Sequence, residues 1–204
     1  MKTVVINAGP KRRGCNAKLM QAALRGAESV GAEVKYVDLY KLDLRGCMTC
    51  LICKKDGKSG KCYWRDDVSP LIEEILDSDC LLVGAPIFFS APTSHYQALL
   101  ERLIYCLVSY KTGNSFKGKV NVGLFYTINY PKDYFENSVR PHLKQSEDVL
   151  KMLNGEVEIH SVCNVTQREY SDTSSEGLEK VSLKENQFSD DLKKAFEVGA
   201  KLSS

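Results

Sequence analysis

Short apolar runs that cannot be helices punctuate this chain, each stopped by glycine, proline or asparagine, with amphipathic stretches between them. Val4–Ile6 ends at Asn7-Ala8-Gly9-Pro10, and Cys80–Gly84 ends at Ala85-Pro86. Runs this short and continuous suit strands buried on both faces. Glu33–Leu39 alternates as a strand does, and Lys119–Phe125 and Val157–Val162 complete a set of five. Helical spacing marks the stretches between and after them, over residues 16–30, 70–76, 94–109, 141–153 and 188–202. In the first of these, Leu19, Ala22, Ala23, Ala27 and Val30 share one side and Gly31 marks the end.

Strands alternating with helices predict an α/β protein with a parallel sheet between two helical layers. Five strands fit a flavodoxin-like three-layer α/β/α sandwich, strand order 2-1-3-4-5, better than the six-stranded dinucleotide fold. At 204 residues, with 43% hydrophobic and 26% charged residues, one domain spanning 1–204 is expected. The net charge of +2 and the lack of long charged runs give no reason to expect nucleic acid or a membrane as partner. The start, MKTVVINAGP, lacks the apolar core of a signal peptide, and no apolar run is long enough to span a bilayer. A cytoplasmic protein with eight reduced thiols is the expectation.

In such a sheet the loops leaving strands one, three and four converge on one crevice. The first loop, Gly9-Pro10-Lys11-Arg12-Arg13-Gly14-Cys15-Asn16, precedes a helix whose positive end favours an anion. Gly9 and Gly14 allow tight turns, Lys11, Arg12 or Arg13 can offset a phosphate's charge, and Asn16 can cap the helix or bind a phosphate oxygen. It matches neither the dinucleotide glycine fingerprint nor a nucleoside triphosphate loop. The second loop, with Pro86, Ile87, Phe88, Phe89, Ser90 and Pro92, places two adjacent aromatics where they cannot both enter one core. Backbone donors and an apolar wall there suit a flat heteroaromatic ring. The third, Tyr126-Thr127-Ile128-Asn129-Tyr130-Pro131, again mixes aromatic and polar groups just past a strand. No hydrolase elbow, Walker sequence or zinc-protease helix motif appears.

Taken together, these loops resemble the NAD(P)H-dependent FMN reductases and related iron–sulfur flavoproteins. The family's GSPR-x-x-GNT loop is similar to Ala8–Asn16, with Pro10 and Gly14 matching, Lys11 for the arginine, Gly9 for the serine and Cys15-Asn16 for Asn-Thr. Its GSPVYF run resembles Gly84–Phe89, followed by Glu101-Arg102 where Asp-Arg is usual, and its YTMN segment resembles Tyr126–Asn129. The resemblance runs from residue 3 to about 202 and is weakest over 164–187. It implies FMN, with its phosphate on the first loop and its ring between the other two. It implies NAD(P)H as donor, and a quinone, nitroaromatic, azo compound, flavin or redox protein as acceptor. It also implies a homodimer or a dimer of dimers. The same loops would serve a nonenzymatic electron carrier.

A cysteine-rich loop spans about residues 45–67. Four of the eight cysteines, Cys47, Cys50, Cys53 and Cys62, fall within sixteen residues. Four soft ligands suit a [4Fe–4S] cluster, and zinc accepts the same set. Eight residues intervene between the third cysteine and the fourth, somewhat more than the iron–sulfur flavoproteins have. FMN reductases that bind flavin alone keep a similar segment, with a late cysteine before Asp-Asp as in Cys62–Asp67. A metal-free loop covering the cofactor or touching another subunit is the preferred reading, with a cluster and zinc left open.

Overall fold

The computed structural model describes residues 1–55, 57–165 and 175–204, with side chains except within 175–186. The stretch least like the family, 164–187, lies partly outside these. Five parallel strands form the sheet: β1 (Lys2–Asn7), β2 (Glu33–Asp38), β3 (Cys80–Phe88), β7 (Val120–Thr127) and β8 (Asn154–Val162). Their order, β2-β1-β3-β7-β8, is the expected 2-1-3-4-5. A two-residue strand, β4 (Ala91–Pro92), folds back antiparallel on the end of β3. A separate small hairpin joins β5 (Val108–Ser109) to β6 (Gly113–Asn114).

The helices are α1 (Cys15–Ser29), α2 (Val68–Leu76), α3 (Ser94–Leu107), α4 (Lys132–Tyr134), α5 (Arg140–Asp148) and α6 (Ser175–Leu202). β3 is apolar throughout, and β7 is apolar from Val122 to Phe125, because both faces are covered. One face of the sheet packs on α1 and α6 through Val5, Leu82, Phe125, Leu19, Met20 and Val198. The other packs on α2, α3 and the region of α5 through Ile6, Val83, Leu124, Ile72, Leu103 and Leu143. Small residues bring α1 and α6 into backbone contact: a Cβ on Gly26 would lie 2.0 Å from the Phe196 carbonyl oxygen, and one on Gly199 2.0 Å from that of Ala23.

Several boundaries depart from the sequence reading, and α6, expected from Phe188, begins at Ser175. The predicted second loop begins as strand, since β3 continues through Pro86, which pairs with Thr127 of β7. Pro86 is tolerated because the β1 pairing has already ended at Asn7 and Gly84, so no β1 acceptor loses an N–H donor. Helix α3 stops at Leu107, where the chain enters the β5–β6 hairpin. The predicted helix over 141–153 is α5 plus a tighter terminal turn, Val149–Leu153, and is preceded by α4 and a widened π turn, Phe135–Val139.

Candidate functional site: the crevice over β1, β3 and β7

Buried amide side chains tie the carboxyl ends of three strands to the start of α1. Asn7, the last residue of β1, donates to Asp38 Oδ1 of β2 at 3.0 Å. Its Oδ1 accepts from the Gly9 N–H at 3.1 Å and from Asn16 Nδ2 at 2.7 Å. Asn16 Nδ2 also donates to the Gly84 carbonyl of β3 at 2.9 Å. Two oxygen partners for one nitrogen fix which way the Asn16 amide points. Thr93 completes the frame: its hydroxyl donates to the Ala8 carbonyl at 2.8 Å and caps α3 by accepting from the Tyr96 N–H. The third loop is held by main-chain bonds from Ile128 to Val162 and from Val165 and Asn164 back to Ile128 and Tyr130.

These three loops enclose a cavity of about 650 Å³. Gly9, Pro10, Lys11, Gly14, Cys15 and Asn16 line it from the first loop, and Pro86, Ile87, Phe88, Phe89 and Ser90 from β3 and its turn. Thr127, Ile128, Asn129 and Tyr130 line it from the third. Two predicted residues lie elsewhere. Arg12 is solvent-exposed and acts on Asp38, helping to hold that carboxyl low against the cost of its partial burial. Tyr126 is fully buried beneath the cavity, its ring near Phe135 and its hydroxyl near Tyr96, and burial pushes its ionisation far up. Strand alternation explains this: Tyr126 points into the core where Thr127 points toward the cavity.

Asn16 is also different from the expectation. It neither caps α1 nor presents its amide donors to the cavity, because both are spent on Asn7 and Gly84. Gly14, two residues before it, occupies the cap position without a side-chain hydrogen bond, and the first turn of α1 carries no acidic residue. The positive end of a fifteen-residue helix therefore has neither a side-chain cap nor an acidic residue in its own first turn, with Lys11 beside the cavity it faces and burial pushing the Cys15 thiol up. His95 stacks on Tyr40 with centroids 3.7 Å apart, and neither His95 nor His142 lines the cavity.

The sequence reading missed Tyr134, Val139 and Val165, which also line the cavity. Tyr134 precedes the π turn and Val139 ends it, and the wider repeat there carries no simple periodicity signal. The crevice fits a phosphorylated flat ring: an anion-receptive helix start with a lysine at one end, and Ile87, Ile128 and Phe88 as apolar walls.

The cysteine loop is docked on α3, and adjacent residues of that helix grip its two ends. Glu101 accepts the Cys47 N–H at 3.2 Å. Arg102, with its side chain 1% exposed, pairs with the equally buried Asp66 and donates to the Arg45 carbonyl, the Ser69 hydroxyl and Cys62 Sγ, the last at 3.3 Å. Lys54 donates to the carbonyls of Tyr105 and Val108, capping the end of α3. Cys47, Cys50, Cys53, Cys62 and Cys106 surround a small space of about 20 Å³, room for about one water. Burial and the neighbouring thiols push the Cys53 thiol up. Cys47, Cys50, Cys53 and Cys62 are free thiols, and among the described residues no three or more histidine, cysteine, aspartate or glutamate side chains form a metal-ligating group. The donor set has the right type and number for a cluster; the space as folded does not.

An open parallel sheet with an anion-receptive turn after its first strand defines a flavodoxin-like cofactor-binding protein. The chain belongs to the NADPH-dependent FMN reductase family, whose model matches residues 1–161. Among curated proteins it is 27% identical over 123 residues to an iron–sulfur flavoprotein of Methanocaldococcus jannaschii, covering 60% of this chain and 62% of the relative. It is 30% identical over 115 residues to one of Clostridioides difficile, covering 52% and 50%. The chain thus spans about half to three-fifths of the length of these relatives. Among solved structures it is similar to an NAD(P)H:quinone oxidoreductase from Methanothermobacter marburgensis (TM-score 0.76, 15% identity, covering 100% and 98% of the two chains). It is also similar to an azoreductase from Bacillus anthracis (TM-score 0.72, 15% identity, covering 98% and 99%). At such identities these two structures speak for the fold alone.

Proposed function

We propose that this protein is an FMN-dependent NAD(P)H oxidoreductase whose acceptor is a quinone, nitroaromatic, azo compound, flavin or redox protein. The observation that carries this reading is the positive end of α1, with no acidic residue in its first turn, opening beside Lys11 into a cavity with apolar walls. The flavin, when bound, takes a hydride from a nicotinamide and delivers its electrons onward. For a quinone the balance is NAD(P)H + H⁺ + quinone → NAD(P)⁺ + hydroquinone. The chain's own contribution is to bind and orient. The α1 start and Lys11 hold the phosphate, Ile87 and Ile128 flank the ring, and Asn129 with nearby main-chain N–H groups meets its polar edge. No side chain in the cavity is needed as nucleophile or acid. The free thiols of Cys47, Cys50, Cys53 and Cys62 fit a reducing cytoplasm, and the family resemblance favours a homodimer or a dimer of dimers.

The test is turnover by the FMN-loaded chain. Steady oxidation of NADH or NADPH that depends on an added quinone supports the reading. Tight flavin binding without such oxidation, but with reduction by a partner protein, would make the protein a nonenzymatic carrier.

A second reading concerns the cysteine loop. Four thiols from Cys47 to Cys62 face one small space, and the curated relatives are named as iron–sulfur flavoproteins. A [4Fe–4S] cluster there requires the loop to open, with the turns at Gly57 and Gly60, both at positive φ, as its hinges and the Gly60 N–H released from the Cys106 carbonyl. Iron and sulfide counts on anaerobically prepared protein decide it: about four of each per chain for a cluster, none for a metal-free loop.

A further inference from the structure

The mouth of the crevice carries an aromatic rim that packing alone does not explain. Phe88 and Phe89 sit on the β3–β4 turn, and Phe89 is entirely exposed, at 105%. The turn has two central residues, Phe89 and Ser90, with φ of 50° and 62°. Left-handed backbone at both positions marks a primed hairpin turn, where asparagine and glycine are the favoured residues. A phenylalanine there is strained, and it buries nothing in return. On the neighbouring loop Tyr130 and Tyr134, 52% and 44% exposed, stack with ring centroids 4.6 Å apart. All four aromatics line the same cavity.

We infer that Phe89, with Tyr130 and Tyr134, forms a subsite for a planar aromatic acceptor over the crevice, so that the rim selects flat ring compounds over compact inorganic oxidants. The inference rests on the oxidoreductase reading above. Exposed ring faces held by a strained turn and by a preformed stack lose little freedom when another ring settles on them. A small octahedral ion such as ferricyanide has no face to offer and gains nothing from the rim.

The experiment uses the full chain loaded with FMN, NADPH as donor, and menadione or ferricyanide as acceptor. In Phe89→Asn the ratio of kcat/KM for menadione to that for ferricyanide falls roughly five- to tenfold, as expected for one lost ring contact. Tm does not fall, because asparagine suits the left-handed position. Tyr130→Leu, which keeps apolar bulk without a flat face, lowers the same ratio. A ratio unmoved in both variants overturns the inference. So does a change in mass by sedimentation in Phe89→Asn, which would assign Phe89 to a contact between copies, or loss of its flavin, which would make it a cofactor contact. Failure of the unmutated chain to take up FMN or oxidise NADPH is read separately, and takes the functional reading down with the subsite.

Discussion

The crevice and the cysteine loop are both built around polar contacts, yet they are held in opposite ways. The crevice is fixed by neutral amides and a hydroxyl, Asn7, Asn16 and Thr93, bonded to main chain and to one another at strand ends. The loop, a segment of little regular structure, hangs on charged side chains, with Arg102 and Glu101 of α3 reaching into it and its own Lys54 reaching back to the end of α3. A site made of strand ends keeps its shape as long as the sheet stands. A loop held by a few charges can be released without the sheet, which suits a segment that covers a cofactor or must open to take one up.

The largest expected effect breaks that contrast at Asp66. Replacing it with alanine leaves the Arg102 guanidinium buried and unpaired, a cost of about 3–5 kcal/mol at that site. Hydrogen exchange should show the loss concentrated in residues 45–67, with β1, β3 and β7 still protected. Uniform loss across the sheet would mean that the loop is part of the core.

Next in size is the crevice frame. Asn16→Ala removes the only side-chain donor to the Gly84 carbonyl among the described bonds and should cost about 1–3 kcal/mol in denaturant unfolding. Gly84→Ala tests the same frame by crowding, since the added Cβ would lie 2.8 Å from Asn16 Oδ1 and 2.9 Å from Met20 Cγ. It should cost a similar about 1–3 kcal/mol. Both should weaken flavin binding, whereas Asp66→Ala should weaken it less.

Acid sharpens the comparison further. Burial works against ionising Asp66, but hydrogen bonds and charge from Arg102 and the N–H groups of Ser69 and Val68 win and hold its carboxyl below the usual 3.8. A lowered folded pKa means that the stabilisation is complete above the unfolded value and is lost as the pH falls through the folded one. The loop should therefore lose protection in strong acid, below the ordinary aspartate range, in a proteolysis or exchange experiment. The same acid step should be missing in Asp66→Asn. The smallest effect is expected at Lys54→Met, which keeps the apolar stem and removes the bonds to Tyr105 and Val108, for about 1 kcal/mol.

Much of this was legible in the order of residues. The strands followed from apolar runs broken by glycine and proline, their order from the flavodoxin-like sandwich that five such strands match, and the crevice from that order. Thirteen of the fifteen residues placed in advance do line the cavity, and the two that do not, Arg12 and Tyr126, fail for local reasons. A basic run does not say which cation turns inward, and a strand end does not say which of two neighbours faces the core. Partners distant in sequence were less legible. Asn16 reaches Gly84 across 68 positions, and Arg102 reaches Asp66 across 36. The pairing of Glu101 and Arg102 was visible as a motif, but their grip on the two ends of one loop was not. The strained turn at Phe89 was equally hidden, because nothing about Phe-Ser suggests left-handed backbone.

The central claim is that the β1–α1 loop receives a phosphate and the neighbouring loops receive a ring. Titrating the flavin-free chain with FMN and with riboflavin, which lacks the phosphate, tests both halves by quenching of flavin fluorescence. The account predicts one FMN per chain, bound at least about a hundredfold tighter than riboflavin, as a charged and hydrogen-bonded phosphate contributes several kcal/mol. Lys11→Ala should narrow that gap. Equal affinity for the two flavins, or uptake of neither, would contradict the account.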